Sequence, residues 1–324
     1  MAKTTTMMTI GDTAEWLKSR DKFLIITHRR PDGDTIGCAG ALCCGLNKIG
    51  KTAYVLYNPE VTEKYMPFIK DYWAPGEYVP EYTITVDTAS QHLFYEDAKK
   101  YLDKISLSID HHQSNTLYAE YTCLDDSTAA CAEVVYNILK QLPCGVDKTS
   151  AGQLYIAIST DTGCFSFANT TAASLKAAAE LIEAGAPHTE LNRILFRART
   201  RGRVKIESIV NNALEFYFND TVAIAAITRD MIESTGAVED DIDGIAAIPG
   251  SIEGVLVGIT IRELTSTADC KVSIRTTPGV SAHNICQRFG GGGHPMAAGF
   301  ARRKSVEEIK QELIAVLGDF LPRD

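Results

Sequence analysis

Phe23-Leu24-Ile25-Ile26-Thr27-His28-Arg29-Arg30-Pro31-Asp32-Gly33-Asp34 is the stretch whose reading decides the fold. A short apolar run ends in a histidine, turns through Arg29-Arg30-Pro31 and delivers two acidic residues into Ile36 to Leu46, a stretch with helical spacing that closes near Gly50. This is the order of a strand, a loop and a crossover helix. Three further apolar runs repeat the theme: Tyr82 to Val86 ends in Asp87, Ile105 to Ile109 ends in Asp110-His111-His112, and Leu154 to Ser159 leads to Asp161. Each reads as a strand with polar residues just beyond it. Ligands of open α/β sheets bind outside the carboxyl ends of the strands, so these scattered residues are expected to converge.

Working outward, residues from about Lys22 to Leu195 alternate strand-like and helix-like segments, as in a mostly parallel sheet with helices on both faces. Ser127 to Leu142 is a helix stopped by Pro143, another begins near Asp147, and the alanine-rich Thr171 to Ala184 is closed by Gly185 and Pro187. Glu190 to Arg203 is helical and arginine-rich, and Arg193, Arg197, Arg199, Arg201 and Arg203 read as a solvated linker face, with lining of the cleft as the alternative. Beyond it, Leu214 to Phe218 and Val222 to Ile227 flank Asn219-Asp220 as a hairpin. Gly254 to Arg262 and Lys271 to Arg275 supply strands, and Ser281 to Arg288 and Ser305 to Leu317 supply helices. The expected organisation is an α/β catalytic domain over 1–195, a helical linker over 196–211 and a smaller α/β substrate-binding domain over 212–324.

Length supports two domains, since 324 residues exceed the size at which one core stops growing. The formal charge of −9 argues against a protein that coats long nucleic acid, which needs a broad basic surface, while a short anionic substrate held by a few local cations fits. Nine cysteines occur without a C-x-x-C pair, and they read as reduced small hydrophobes. Met1-Ala2-Lys3-Thr4-Thr5-Thr6 lacks the apolar core of a signal peptide, and no apolar run approaches a membrane span of about 20 residues. The expected location is the cytoplasm, with no membrane partner.

The polar set has a chemistry of its own. Hard divalent cations take carboxylate oxygens and borderline ones accept imidazole, so Asp and His without thiolate suit manganese, with magnesium, cobalt or zinc as competitors. Four carboxylates, Asp32, Asp34, Asp87 and Asp161, balance two dications. Two such ions about 3.5–4 Å apart can activate water and stabilise both oxygens of an in-line displacement at phosphorus. Taken singly, each Asp also reads as a helix or turn cap and each His as a satisfied core residue.

His28-x-x-x-Asp32-x-Asp34, Asp87 after a strand, Asp110-His111-His112 and Asp161-Thr162-Gly163 resemble the ordered motifs of the DHH phosphoesterase superfamily. Gly290-Gly291-Gly292-Gly293-His294, followed by Ala297-Ala298-Gly299, resembles the signature of its associated substrate domain. The similarity spans nearly the whole chain. It is strongest to the NrnA-type branch, small bacterial enzymes that degrade very short RNA and dephosphorylate 3′-phosphoadenosine 5′-phosphate (pAp). The resemblance implies that His28, Asp32 and Asp87 hold one metal, that Asp34, Asp87, His111 and Asp161 hold the other, and that Asp87 bridges them. It implies that Asp110 orients a metal-binding imidazole and that His112 contacts the phosphate or the leaving oxygen; the alternative makes His112 purely structural.

By the same resemblance Arg262, Ser273 and Arg275 clamp a second phosphate or the nucleotide, with Gly291, Gly292, Gly293 and His294 facing the ligand. Four glycines inside a domain, between a helix and a small-residue stretch, favour close backbone approach; a flexible linker is the rival reading. His92, His188 and His283 have no motif context. The implied function is manganese-dependent hydrolysis of very short RNA, linear dinucleotides such as pApA and pGpG, or pAp to nucleoside monophosphates, with a homodimer compatible with this reading. The alternatives are a manganese inorganic pyrophosphatase, which carries a different lysine- and arginine-rich substrate motif, a RecJ-type single-strand exonuclease, usually much longer, and a non-catalytic nucleotide sensor.

Overall fold

The computed structural model describes residues 5–242, 244–264, 267 and 269–322. Met1 to Thr4, read above as part of a chain start without an apolar core, lie outside the described residues. The chain forms two compact units, Met1–Ala198 and Arg199–Asp324. Among the described residues no helix is long and apolar enough to cross a membrane. All nine cysteines are free thiols.

In chain order the first unit contains β1 (Thr6–Met7), α1 (Ile10–Lys18), β2 (Phe23–Ile26), α2 (Gly33–Lys48), β3 (Ala53–Val55), α3 (Met66–Ile69) and β4 (Tyr82–Val86). It continues with β5 (Leu107–Asp110), β6 (Tyr121–Leu124), α4 (Cys131–Gln141), α5 (Lys148–Asp161), α6 (Ala172–Glu183) and α7 (His188–Asn192). The six strands form one sheet in the order β1-β6-β5-β4-β2-β3, with every neighbouring pair parallel. Successive strand residues point to opposite faces. Phe23 and Ile25 therefore join the large core built with α1, α2, α4 and α5, while Ile26 joins a smaller one with Phe94, Tyr95 and Ala98. That second face is covered by the 3₁₀ turns Gln91–Leu93 and Glu96–Lys104.

One expected strand is a helix. Leu154 to Ser159, read as the run leading into Asp161, belongs to α5, and all six of its residues are buried. A helix buried on every side shows no amphipathic period, so its apolar run is indistinguishable from a buried strand. The distinguishing signal lies at its start, where Asp147 and Ser150 form a capping box.

The second unit opens with α8 (Arg201–Asn212), followed by β7 (Glu215–Tyr217), β8 (Val222–Ile227), α9 (Arg229–Thr235), α10 (Glu239–Ile242) and β9 (Val257–Glu263). β10 (Cys270–Thr276), α11 (Ala282–Gln287), β11 (Gly292–His294), β12 (Ala297–Arg302) and α12 (Val306–Leu317) complete it. Its sheet runs β11-β12-β10-β9-β8-β7, antiparallel except for β8 and β9. Val222 and Ile224 face a core with α11 and α12, whereas Ala225 and Ile227 face one with Ile206 and Val210 of α8. The arginine-rich segment is thus divided: α7 and the turn after it pack with the first unit, and α8 helps build the second. Its arginines pair locally, Arg193 with Glu190, and both Arg199 and Arg203 with Glu207.

Candidate metal centre

Three adjacent strands deliver most of the site. β4 lies between β2 and β5, so Asp87, just beyond β4, sits between the His28 turn that follows β2 and the Asp110-His111-His112 segment that ends β5. Asp87 leaves its strand with φ +51, a left-handed backbone that Asp tolerates better than most residues, at a cost of about 1 kcal/mol. Its N–H still donates to the Ile109 carbonyl at 2.9 Å, so the turn remains tied to β5. The carboxylate is 3 % exposed. Oδ2 accepts from the Thr35 hydroxyl at 2.6 Å, whereas Oδ1 is buried with no hydrogen-bond partner. Leaving such an acceptor unsatisfied costs about 1–3 kcal/mol. A cation ligated there removes that cost.

The other acidic residues arrive on helices. Asp32 caps α2 through Oδ1, which accepts from Asp34 N–H and Thr35 N–H at 3.1 Å each. Capping leaves the side chain 57 % exposed, and its Oδ1 lies 3.9 Å from His28 Nε2. Asp34, buried within α2, accepts the N–H groups of Cys131 at 2.6 Å and Ala132 at 3.0 Å, and so caps the start of α4. Asp161 stands at the end of α5, which runs antiparallel against α2. A Cβ on Gly33 would lie 2.2 Å from the Thr160 hydroxyl, and one on Gly37 would lie 2.3 Å from the Gln153 carbonyl. The two backbones approach only because these positions are glycine, and that approach brings Asp161 beside Asp34.

Ligand atoms gather in three groups whose members lie within 4.8 Å of one another: His28, Asp32 and Asp87; Asp34, His111 and Asp161; and Asp87, His111 and His112. His28 Nε2 is 3.9 Å from both Asp32 Oδ1 and Asp87 Oδ2. His111 Nε2 is 3.5 Å from Asp87 Oδ1 and 3.9 Å from Asp34 and Asp161. Asp87 belongs to groups on both sides. This set of oxygen and imidazole donors can hold metal and fits hard or borderline divalent ions.

The electrostatics point the same way. Burial, then Asp87 and Asp161, pushes the Asp34 carboxyl well above its usual range; burial likewise raises Asp87, and Asp161 reaches about 6. Burial disfavours the His111 imidazolium, but Asp87, Asp34 and Asp161 outweigh it and push its pKa up to about 10. A carboxyl raised in the folded state stabilises the fold below the unfolded pKa and loses that contribution as pH rises, for Asp161 between 3.8 and about 6. Without metal, the protein should therefore lose stability with rising pH. Metal competes with protons for these groups, so manganese should raise Tm more at about pH 7.5 than at about pH 5. Equal increments by calorimetry would show that these groups do not exchange protons for metal.

Asp110 is placed to orient an imidazole, as its resemblance to the family implies. It is fully buried, and its Oδ1 accepts the His111 N–H at 2.8 Å and lies 2.8 Å from His112 Nδ1; Oδ2 accepts from Asn115 at 2.6 Å. The ring it orients is that of His112. His111, whose ring faces the acidic cluster, instead has Nδ1 3.3 Å from the Thr128 carbonyl. The Asp110 bond holds the His112 pKa above its usual value against burial.

A cavity of about 700 Å³ opens on this centre, with His28, Asp32, Asp87, His112 and Asp161 in its wall. Arg29, Arg30, Glu60 and Leu93 also line it. These residues were not singled out from sequence, although Arg29-Arg30 stand inside the first motif. Asn58 was also missed. It is buried and donates to the Thr27 hydroxyl and the His28 carbonyl, both at 3.0 Å, bracing the turn.

In the second unit, Ser273 and Arg275 share the face of β10 opposite the core that holds Val272 and Ile274. Arg275 pairs in register with Ala297, which pairs with His294, so Arg275 and His294 flank a small residue across three strands. The glycine run is therefore an edge strand after a tight turn. Cβ atoms on Gly291 and Gly293 would strike β12 within 2.4 and 2.6 Å, while Gly292 opens on free space. His283, set aside in the sequence, lies with Nδ1 2.8 Å from the Gly293 carbonyl and braces this strand. Arg262 lies four residues along β9 from the partner of Arg275, about 13 Å away. Its guanidinium is held by both oxygens of Glu239.

The fold and the donor set together define an α/β metal-site protein. The DHH family N-terminal domain matches residues 22–158 and the DHHA1 domain matches residues 219–321. The chain belongs to the DHH family. It is 33 % identical over 315 residues to the bifunctional oligoribonuclease and PAP phosphatase NrnA of Thermus thermophilus, covering 93 % of each chain. With the protein of the same name from Bacillus subtilis it shares 26 % identity over 289 residues, 86 % of this chain and 88 % of the relative. An exopolyphosphatase-related protein from Bacteroides fragilis has the same fold, with a TM-score of 0.84 at 22 % identity over 96 % of this chain and 97 % of that one.

Proposed function

We propose that the chain is a cytoplasmic, manganese-dependent phosphoesterase that hydrolyses very short oligoribonucleotides, linear dinucleotides such as pApA and pGpG, and pAp, releasing nucleoside monophosphates. The observation that carries this reading is the buried, unpartnered Oδ1 of Asp87 between two groups of carboxylate and imidazole donors. The substrates named for the Thermus and Bacillus relatives support the choice among phosphoesters. His28, Asp32 and Asp87 would hold one ion, and Asp34, Asp87, His111 and Asp161 the other. When bound, the ions would neutralise the phosphoryl oxygens and lower the pKa of water. His112, its Nδ1 held by Asp110, presents Nε2 as the group that gives a proton to the leaving oxygen.

Arg275, Ser273 and His294, with Arg262 and Gly291 to Gly293, would contact the nucleotide or its second phosphate. A panel of pAp, pApA, pGpG, short RNA, cyclic di-AMP and pyrophosphate with manganese tests the reading. Turnover should be fastest on the first three and should decline as RNA lengthens. Pyrophosphate as the best substrate, or faster degradation of long strands, would overturn it. Losing one charged contact to phosphate costs about 1.5–3 kcal/mol, so Arg275→Ala should lower kcat/KM on pAp or a dinucleotide about ten- to a hundredfold. Metal content should be unchanged, and bis-p-nitrophenyl phosphate, with no second phosphate, should suffer far less. Equal losses on both substrates would place Arg275 at the reaction centre.

A further inference from the structure

We propose that Glu133 is a positioning residue for the His111 side of the metal centre, acting through the backbone of residues 128–132. This role rests on the two-ion reading above and shapes one of the two donor groups before an ion arrives. Asp34, His111 and Asp161 come from three different elements: α2, the turn after β5 and the end of α5. Each is tied to the same short segment. The Cys131 and Ala132 N–H groups donate to Asp34 at 2.6 and 3.0 Å. The Thr128 carbonyl faces His111 Nδ1 at 3.3 Å, and a carbonyl can only accept, so Nδ1 carries a proton and Nε2 is turned to the acidic cluster. Asn169 Nδ2 donates to the Ala129 carbonyl at 3.2 Å and to the Asp161 carbonyl at 3.1 Å, which joins the segment to the end of α5.

The segment has few means of holding this shape by itself. Ala129, Ala130 and Ala132 carry no polar side chain, and Ala129 to Ala132 are all buried, so water does not satisfy their backbone groups. Ala130, at the start of α4, gives no side-chain cap. Glu133 supplies what is missing. The residue is only 4 % exposed, and its side chain reaches back past the helix start, where Oε1 accepts the Ala129 N–H at 3.0 Å. The same oxygen accepts the Ser174 hydroxyl of α6, also at 3.0 Å. In a capping box the third residue of a helix returns to the N-cap N–H. Here it returns one residue further, and Asp34 takes over the task of the N-cap side chain.

Without the Glu133 carboxyl the Ala129 N–H is a buried orphan, and the segment must shift to find it a partner. That shift carries the Thr128 carbonyl and the Cys131 and Ala132 N–H groups together, so it reaches His111 and Asp34 at once. None of these bonds touches His28 or Asp32. The expected result is a loss confined to one of the two ions.

Manganese titration of the full-length protein, followed by electron paramagnetic resonance without substrate, compares wild type with Glu133→Ala, Glu133→Gln and Ser174→Ala. Wild type should take up two ions. Glu133→Ala should keep one affinity and weaken the other by about ten- to a hundredfold. Glu133→Gln, whose Oε1 still accepts the Ala129 N–H, should recover most of that loss. Ser174→Ala should fall between wild type and Glu133→Ala, and it carries both readouts if Glu133→Ala does not fold. The second readout is amide exchange in the full-length protein with no metal added. Cys131 and Ala132 should exchange about tenfold faster or more in Glu133→Ala, while Leu139, further along α4, stays protected. Uptake of a single ion by wild type would sink the two-ion reading, and the exchange rates would still decide the positioning role. Equal weakening of both ions, a Glu133→Gln protein no better than Glu133→Ala, or unchanged exchange at Cys131 and Ala132 would overturn that role.

Discussion

Asp87→Ala should abolish turnover, lowering kcat/KM by about three orders of magnitude or more, while the protein stays folded. The size follows from position. Asp87 and His111 each belong to two of the three donor groups, but Asp87 is the one that joins the His28 and Asp32 group to the His111 side, so in the proposed assignment its loss would remove a donor from both ions and the charge between them. Folding should survive because the carboxylate is a liability without metal: it is buried, its pKa is raised by burial and by Asp32, and Oδ1 has no hydrogen bond, only the His111 and His112 rings at 3.5 Å. The metal-free variant should therefore melt no lower than metal-free wild type, and metal per chain should fall. Substantial manganese-dependent turnover by a folded Asp87→Ala protein would defeat the two-ion assignment.

His112→Ala should lower kcat by about 10²- to 10⁴-fold, the usual worth of a positioned proton donor, with metal content kept. The argument rests on which nitrogen is committed. Asp110 takes Nδ1 at 2.8 Å, which fixes the ring and raises its pKa, so the imidazolium persists to higher pH than an isolated histidine. Asp110→Asn should cost less, about 10- to 100-fold, and should move the alkaline limb of the pH profile downward. A His112→Ala protein with unchanged kcat would leave the ring a purely structural role.

Most of the donor set was legible because its residues follow strands whose apolar runs are hard to mistake. Phe23 to Ile26 and Tyr82 to Val86 are such runs, and the sheet places their ends side by side. What stayed hidden depends on partners distant in sequence. α4 begins at Cys131 rather than near Ser127, because its exposed N–H groups are capped by Asp34, far upstream, and Ala130 offers no side-chain cap. α5 gave no period because it is buried all round. Asp110 reads as support for a metal ligand, yet only geometry tells which of two adjacent rings it holds. The ion pair between Arg262 and Glu239 is likewise invisible without the fold.

The glycine contact between α2 and α5 gives the spacing of two helices a chemical output. Asp34 rides on one backbone and Asp161 on the other, and the gap between them is set where Gly37 meets the Gln153 carbonyl. A single methyl group there cannot be absorbed by a flexible side chain, since the obstacle is backbone. Gly37→Ala should lever the helices apart and widen the bite of the Asp34, His111 and Asp161 group more than that of His28 and Asp32, which lie on the other side of Asp87. The expected phenotype is a change in stoichiometry: a folded protein that retains one ion more firmly than the other, brought about by a residue that carries no ligand atom.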